Sequence, residues 1–181
     1  ENIKKRFNIK VSGIDYDAKY IFSEAGYNFL PSEISAAFAL EQLKKLKKNL
    51  KKRNVNFELL KNFFSKLSKY FKLPEQYKGV KTAWLAFPLV IKKNSRFSRK
   101  DLQIYLEKNN IQTRTIFTGN ILKQPIIKNR KYKKLKNSEK NSNDVMKNGI
   151  LIGCHQGMRI EEINYIFKTF NKFLNKLVKP L

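Results

Sequence analysis

Thr113 to Pro125, TRTIFTGNILKQP, holds the densest set of side chains able to recognise a polar, anionic ligand. Arg114 interrupts a run otherwise made of Thr and Ile, and a guanidinium there can take a phosphate or carboxylate through two parallel hydrogen bonds. Gly119-Asn120 is a turn pair that presents backbone amides and one side-chain amide, and Gln124-Pro125 fixes a second amide at the end of the loop. Together these donors suit a hydroxyl-rich ligand. Asn120 and Gln124 can equally satisfy their own loop, and the sequence leaves both readings open.

The chain has one cysteine and one histidine, Cys154 and His155, side by side. Neighbours that follow a strand point in different directions, so they make a poor nucleophile pair, and two residues cannot complete a metal site. One reading is a buried thiol beside a hydrogen-bonded turn histidine. The other places His155 in the lining of a site at a domain interface.

These residues need elements to hold them. Pro31 and Ser32 end an extended segment, Ser32 is a good N-cap, and Glu33 puts negative charge into a first helical turn. Leu43, Leu46, Leu50, Phe57, Leu60, Phe64, Leu67 and Phe71 then recur at steps of three and four, which predicts a long amphipathic helix from Ser32 to about Phe71. A skipped step near Arg53-Asn54 predicts a break or kink there, and Ala36-Ala37 offers a place for close backbone approach. Ala83–Ile91 reads as a buried strand with Pro88 at an edge or bulge. Ser98 caps a second helix carrying Leu102, Tyr105 and Leu106, ending at Asn109-Asn110. A strand over Ile111–Ile116, a long loop to about Lys140, a short helix at 143–147, a strand at 150–153 and a last helix from Ile160 to about Val178 complete the chain. Before the long helix, Val11-Ser12-Gly13 reads as a turn and Tyr20–Phe22 as a strand. The order implies an α+β layer, with helices on a small sheet of three strands. Such a sheet leaves apolar helix surface uncovered unless something docks on it.

Lys plus Arg number 39 against 14 Asp plus Glu, a net charge of +25 over 181 residues. That balance raises a nucleic-acid-binding module as an alternative from another functional class. Against it, Lys44, Lys45, Lys47, Lys48, Lys51 and Lys52 fall between the apolar positions and form the solvated back of a helix. No zinc spacing or aromatic ribonucleoprotein motif accompanies them, so no specific nucleic-acid partner is expected. A single cysteine excludes a disulfide framework and fits a reducing compartment. Without a secretory core or a run of about 20 apolar residues, a soluble, cytoplasmic protein with no membrane partner is expected.

Gly26, Tyr27, Asn28, Ser32, Glu33, Ala36, Ala37, Leu40, Gln42, Leu43 and Leu46 resemble the segment joining the large and small domains of the DegT/DnrJ family of pyridoxal-phosphate-dependent sugar aminotransferases. Arg114, Phe117, Gly119, Asn120, Gln124 and Pro125 resemble a run of that family's nucleotide-sugar 3-dehydratase branch. Trp84, Phe87, Pro88 and Lys5-Arg6-Phe7 extend the likeness over nearly the whole chain. The resemblance implies the aspartate aminotransferase-like fold (fold type I), of which this chain would be the carboxyl-terminal portion. Residues 1–27 would end the large cofactor-binding domain, and 28–181 would form the small domain led by the long helix. It further implies pyridoxal or pyridoxamine phosphate as cofactor and a nucleotide-linked 4-keto-6-deoxyhexose as substrate, in deoxysugar and surface polysaccharide (lipopolysaccharide) synthesis. The enzyme would be a homodimer with the active site shared between subunits. Asn28, with Tyr27 nearby, would contact the cofactor phosphate, and Arg114, Asn120, Gln124 and His155 the substrate. The lysine that distinguishes the aminotransferases, or the histidine that replaces it in the dehydratases, would lie upstream, so this portion alone would be inactive. Three departures stand out. Ile3 occupies the place of a cysteine in some iron-sulfur 3-dehydratases, which implies no metal here. Asp144 stands where the branch often has arginine, and Gly153–Met158 replaces a Tyr-Pro-Gly-Leu turn, so amination remains an alternative to dehydration.

Overall fold

The computed structural model describes residues 9–11, 14–17, 21, 27, 29–127, 129–136 and 138–178. The chain divides into two compact units, Glu1–Leu43 and Lys44–Leu181. In the first, β1 (Ile9–Val11) pairs antiparallel with β2 (Ile14–Tyr16). The expected turn falls partly outside the described residues, at Ser12 and Gly13. So do Tyr20 and Phe22 of the expected strand, and Ile21 between them is not in one.

The long helix α1 spans Glu33–Ser65 without a break. The skipped step at Arg53-Asn54 brings no break, and the reason lies in what the interrupted stripe faces. Arg53 and Asn56 are polar on the inward side because they bond the turn after a later strand, donating to Gln156 Oε1 at 2.7 Å and to the His155 carbonyl at 2.8 Å. Beyond that point Phe57, Leu60 and Phe64 enter the core, whereas Ile34, Phe38, Leu40 and Leu43 in the other unit remain exposed, as do Ala36 and Ala37. The helix also stops earlier than Phe71. Ser65 Oγ donates to the Asn62 carbonyl at 2.8 Å, residues 66–70 form turns, and Phe71 opens a strand. Spacing cannot distinguish these outcomes, because Phe71 is buried in either.

Four strands, one more than expected, make the sheet of the second unit: β3 (Phe71–Lys72), β4 (Ala86–Ile91), β5 (Thr113–Arg114) and β6 (Gly149–Gly153). All pairs are antiparallel, in the order β3-β4-β6-β5. Pro88 sits opposite Leu151 within this order. Cys154 N donates to the Leu85 carbonyl. By alternation along the strand, the missing amide of Pro88 falls on the far side from β6, where β3 has already ended. The edge reading therefore holds locally.

Helix α2 (Arg99–Lys108) begins at a capping box. Ser98 Oγ accepts from Asp101 N at 3.2 Å, and Asp101 Oδ2 accepts from Ser98 Oγ at 2.7 Å and from Ser98 N at 2.9 Å, bonds that hold the Asp101 carboxyl below its ordinary range, the hydroxyl's first. Helix α3 covers Lys140–Asn148, so the end of the basic run is helical, and α4 covers Ile160–Val178 as expected. The core lies between one sheet face and the helices, centred on Phe64. Its ring is 5.5 Å from Phe87, 4.9 Å from Phe170 and 5.7 Å from Phe71.

Candidate functional site

The candidate site lies where β5 and the end of β6 meet the first turns of α4. Along β6, Ile150 and Ile152 are buried in the core while Leu151 and Gly153 are only half-buried, as alternation requires. Arg114 pairs with Leu151 across β5 and so shares that open face. A cleft of about 590 Å3 lies here, lined by Arg114, Leu151, His155, Glu161 and Tyr165 among others.

Strand β5 is only two residues long, not the expected six, because helix α2 holds it. Glu107 Oε1 accepts from both Thr113 N (2.6 Å) and Thr113 Oγ1 (2.7 Å), and Gln103 Nε2 donates to the same hydroxyl at 3.3 Å. These bonds, the side-chain one first, lower the Glu107 pKa, and the charge of Arg114 adds to the effect. The anchor fixes Thr113 and leaves the exposed guanidinium of Arg114 beside it for a ligand.

His155 follows β6. Its carbonyl accepts from Asn56 Nδ2 at 2.8 Å and from Met158 N at 3.2 Å, and its Nδ1 accepts from Gly157 N at 3.2 Å. Cys154 points the opposite way, fully buried, with Sγ 3.8 Å from the Arg53 carbonyl. Burial pushes its thiol up to about 12, against the opposing pull of Arg53, so it carries no nucleophilic thiolate near neutral pH. Cys154 is thus the buried thiol and His155 the hydrogen-bonded turn histidine of the first reading, and His155 also lines the cleft.

The two loop amides do not reach the cleft. Asn120 is buried: its Oδ1 caps a 3₁₀ turn by accepting from Leu122 N at 3.0 Å, and its Nδ2 donates to Glu139 at 2.9 Å and to Asn143 at 2.8 Å. Gln124 Nε2 donates to the Thr118 carbonyl at 2.9 Å and borders a separate pocket of about 130 Å3 with Thr115 and Phe117. Their amides hold the loop's shape. Gly119, at φ +66°, lets that loop lie directly on Met146 of α3. Asp144, also on α3, pairs with Lys72 at 2.7 Å. Tyr27, in the other unit, is exposed beside Phe29, and Asn28 lies outside the described residues.

Phe117 borders that smaller pocket and not the cleft. It is 89% exposed at φ +44°, a conformation a bulky side chain rarely adopts. Sequence reasoning missed Glu161 and Tyr165, which enter the cleft from the first turns of α4. They share the exposed side of that helix with Lys168 and Lys172, so spacing carries no signal that sets them apart. Glu162 beside them is occupied: its carboxylate accepts from Arg159 N at 2.8 Å and pairs with the guanidinium at 3.3 Å, and the backbone bond leads in lowering its pKa.

Residues 1–171 match the DegT/DnrJ/EryC1/StrS aminotransferase family. The chain is 30% identical over 171 residues to the lipopolysaccharide biosynthesis protein RfbH of Salmonella typhimurium, covering 93% of this chain and 39% of the relative. It is 34% identical over 162 residues to GDP-4-keto-6-deoxy-D-mannose 3-dehydratase of Escherichia coli O55:H7, covering 87% and 41%. A solved E. coli GDP-4-keto-6-deoxy-D-mannose 3-dehydratase with bound hydrated pyridoxal phosphate superposes with a TM-score of 0.71 at 33% identity, over 83% of this chain and 38% of the other. The chain thus spans about two fifths of these relatives. Over that span its fold is the α+β fold of pyridoxal-phosphate-dependent transferases expected from the sequence. Among the described residues no helix is long and apolar enough to cross a membrane.

Proposed function

The chain belongs to the DegT/DnrJ/EryC1/StrS aminotransferase family, and from that premise we propose that it forms part of a nucleotide-sugar enzyme that removes the C3 hydroxyl of a 4-keto-6-deoxyhexose. In this reading residues 1–27 complete a cofactor-binding domain and 28–181 form the small domain that closes over the sugar nucleotide. The protein works in the cytoplasm, in deoxysugar synthesis for a surface polysaccharide. The observation that carries the reading is that Arg114 and His155 line one cleft between β5, the end of β6 and the first turns of α4. Dehydratases among the most similar relatives support the reaction type, and RfbH supports the pathway.

Each group then has a task. Arg114, free to swing from its anchored strand, takes the charged diphosphate in paired bonds. His155 meets the sugar. Asn120 and Gln124 act only through the loop whose shape they hold. Pyridoxal or pyridoxamine phosphate, when bound, supplies the electron sink for cleavage next to the sugar carbonyl. The phenol of Tyr27, exposed and without a hydrogen bond among the described residues, and the amide of Asn28 have donor chemistry that fits its phosphate. A homodimer would bring them to the cofactor of the partner subunit. The exposed apolar row Ile34, Phe38, Leu40 and Leu43 supports a surface that another chain or domain covers.

The test is to give the complete polypeptide the aminated cofactor and GDP-4-keto-6-deoxy-D-mannose and weigh the product. Loss of the C3 oxygen supports the dehydratase. Replacement of the keto oxygen by an amine moves the assignment to the aminotransferases of the same family, and no change to the sugar refutes both.

A further inference from the structure

Resting on that reading, we infer that the turn after β6 orients His155 with Nδ1 on its own backbone, leaving Nε2–H to donate to an oxygen of the sugar, a hydroxyl or the keto group. The turn between β6 and α4 is built around this ring. Gly157 N donates to Nδ1 at 3.2 Å. A ring nitrogen that accepts carries no proton, so in the neutral imidazole the proton sits on Nε2. Both flanking glycines leave room for the ring. A Cβ at Gly157 would lie 3.1 Å from Nδ1, and one at Gly153 would lie 3.6 Å from Cδ2 and 3.9 Å from Nε2. The imidazole therefore covers the end of β6, where it lines the cleft.

The backbone beneath is fixed independently of the ring. The His155 carbonyl takes two donors, Asn56 Nδ2 and Met158 N. Asn56 is 2% exposed, and a polar side chain so buried is kept only where its hydrogen bonds are made. Arg53, one helical turn earlier, holds the next residue through Gln156 Oε1 at 2.7 Å. Asn56 and Arg53 are thus positioning residues acting through the turn, and the interruption they make in the apolar stripe of α1 exists for that purpose. Glu162, which also lines the cleft, is paired with Arg159 rather than with the ring.

The test is made on the complete polypeptide labelled with 15N-histidine, with the His155 resonances assigned by their loss in His155→Leu. Expected are an unprotonated Nδ1, a protonated Nε2, and movement of the Nε2 signal on adding GDP-4-keto-6-deoxy-D-mannose. In kinetics, His155→Leu should raise KM about tenfold with kcat within about threefold, the size expected for one neutral hydrogen bond. His155→Gln, whose amide can stand in for Nε2–H, should stay within about threefold of wild type. Asn56→Asp should disturb the ring signals and raise KM, and combining it with His155→Leu should add nothing further. A proton on Nδ1, or an unchanged KM in His155→Leu beside an active wild type, overturns the inference. If the wild type turns over no sugar nucleotide, the parent reading fails, and the Nε2 response to added sugar nucleotide alone decides this one.

Discussion

Replacing Gly119 by alanine tests how the loop that bears Phe117 is held. The added Cβ would sit 2.5 Å from Met146 Cβ, 2.6 Å from Cγ and 2.7 Å from Cα. Carbon atoms rest at about 3.5–4.0 Å, so each contact overlaps by about 1 Å. One of the three is helix backbone, and no rotamer of Met146 relieves it. Overpacking of this kind costs about 1–3 kcal/mol. The residue also sits at φ +66°, where a Cβ costs about 1–2 kcal/mol more. Loss of unfolded-state freedom returns about 0.4–1 kcal/mol. The balance is a destabilisation of about 1–4.6 kcal/mol. For a chain of this length that lowers Tm by about 2–18 °C. Gly79 supplies the control, with φ +83° and nothing within 4 Å of a Cβ. Gly79→Ala carries the conformational cost alone, about 0–1.6 kcal/mol after the same entropic return. Urea unfolding of the two variants, compared at unchanged m, reads the difference directly. If Gly119→Ala is no more destabilising than Gly79→Ala, the loop does not lie on α3 as described.

Other expectations follow from the same contacts. Phe64→Ala removes the ring at the centre of the core and should cost about 3–5 kcal/mol in denaturant unfolding; a cost below about 1 kcal/mol would contradict its burial. Glu107 has a lowered folded pKa, so its contribution to stability is present above its unfolded value of about 4.3 and is lost as pH falls through the folded value. Glu107→Gln should remove that part of the acid sensitivity, read as a flatter stability curve below about pH 4.3. Cys154, with its pKa pushed up to about 12, should react with a thiol reagent at pH 8 only as fast as the protein unfolds; rapid native-state labelling would refute its burial.

Most elements were legible because their signals are local. The Ser98 cap, the apolar rows of α2 and α4, and the alternation in β4 and β6 each sit within one segment. What was missed depends on distant partners. The skipped step at Arg53-Asn54 looked like a helix defect because the partners of Arg53 and Asn56, Gln156 and His155, are far along the chain. Phe71 followed the helical spacing although β4 claims it as a strand. At the site, Arg114 and His155 were identifiable by type, and their meeting required the β5-β6 register. Asn120 and Gln124 carry donors that suit a ligand, yet α3 and the Thr118 carbonyl occupy them, which residue type cannot reveal.

The central claim is that this chain serves a pyridoxal-phosphate enzyme acting on nucleotide-linked sugars. The most direct measurement is the absorbance spectrum and intact mass of the complete polypeptide after reconstitution with pyridoxal phosphate, before and after addition of GDP-4-keto-6-deoxy-D-mannose. The account predicts one bound cofactor per subunit and a spectrum that changes when the sugar nucleotide is added. A polypeptide that retains no cofactor and shows no response to the sugar nucleotide would contradict it.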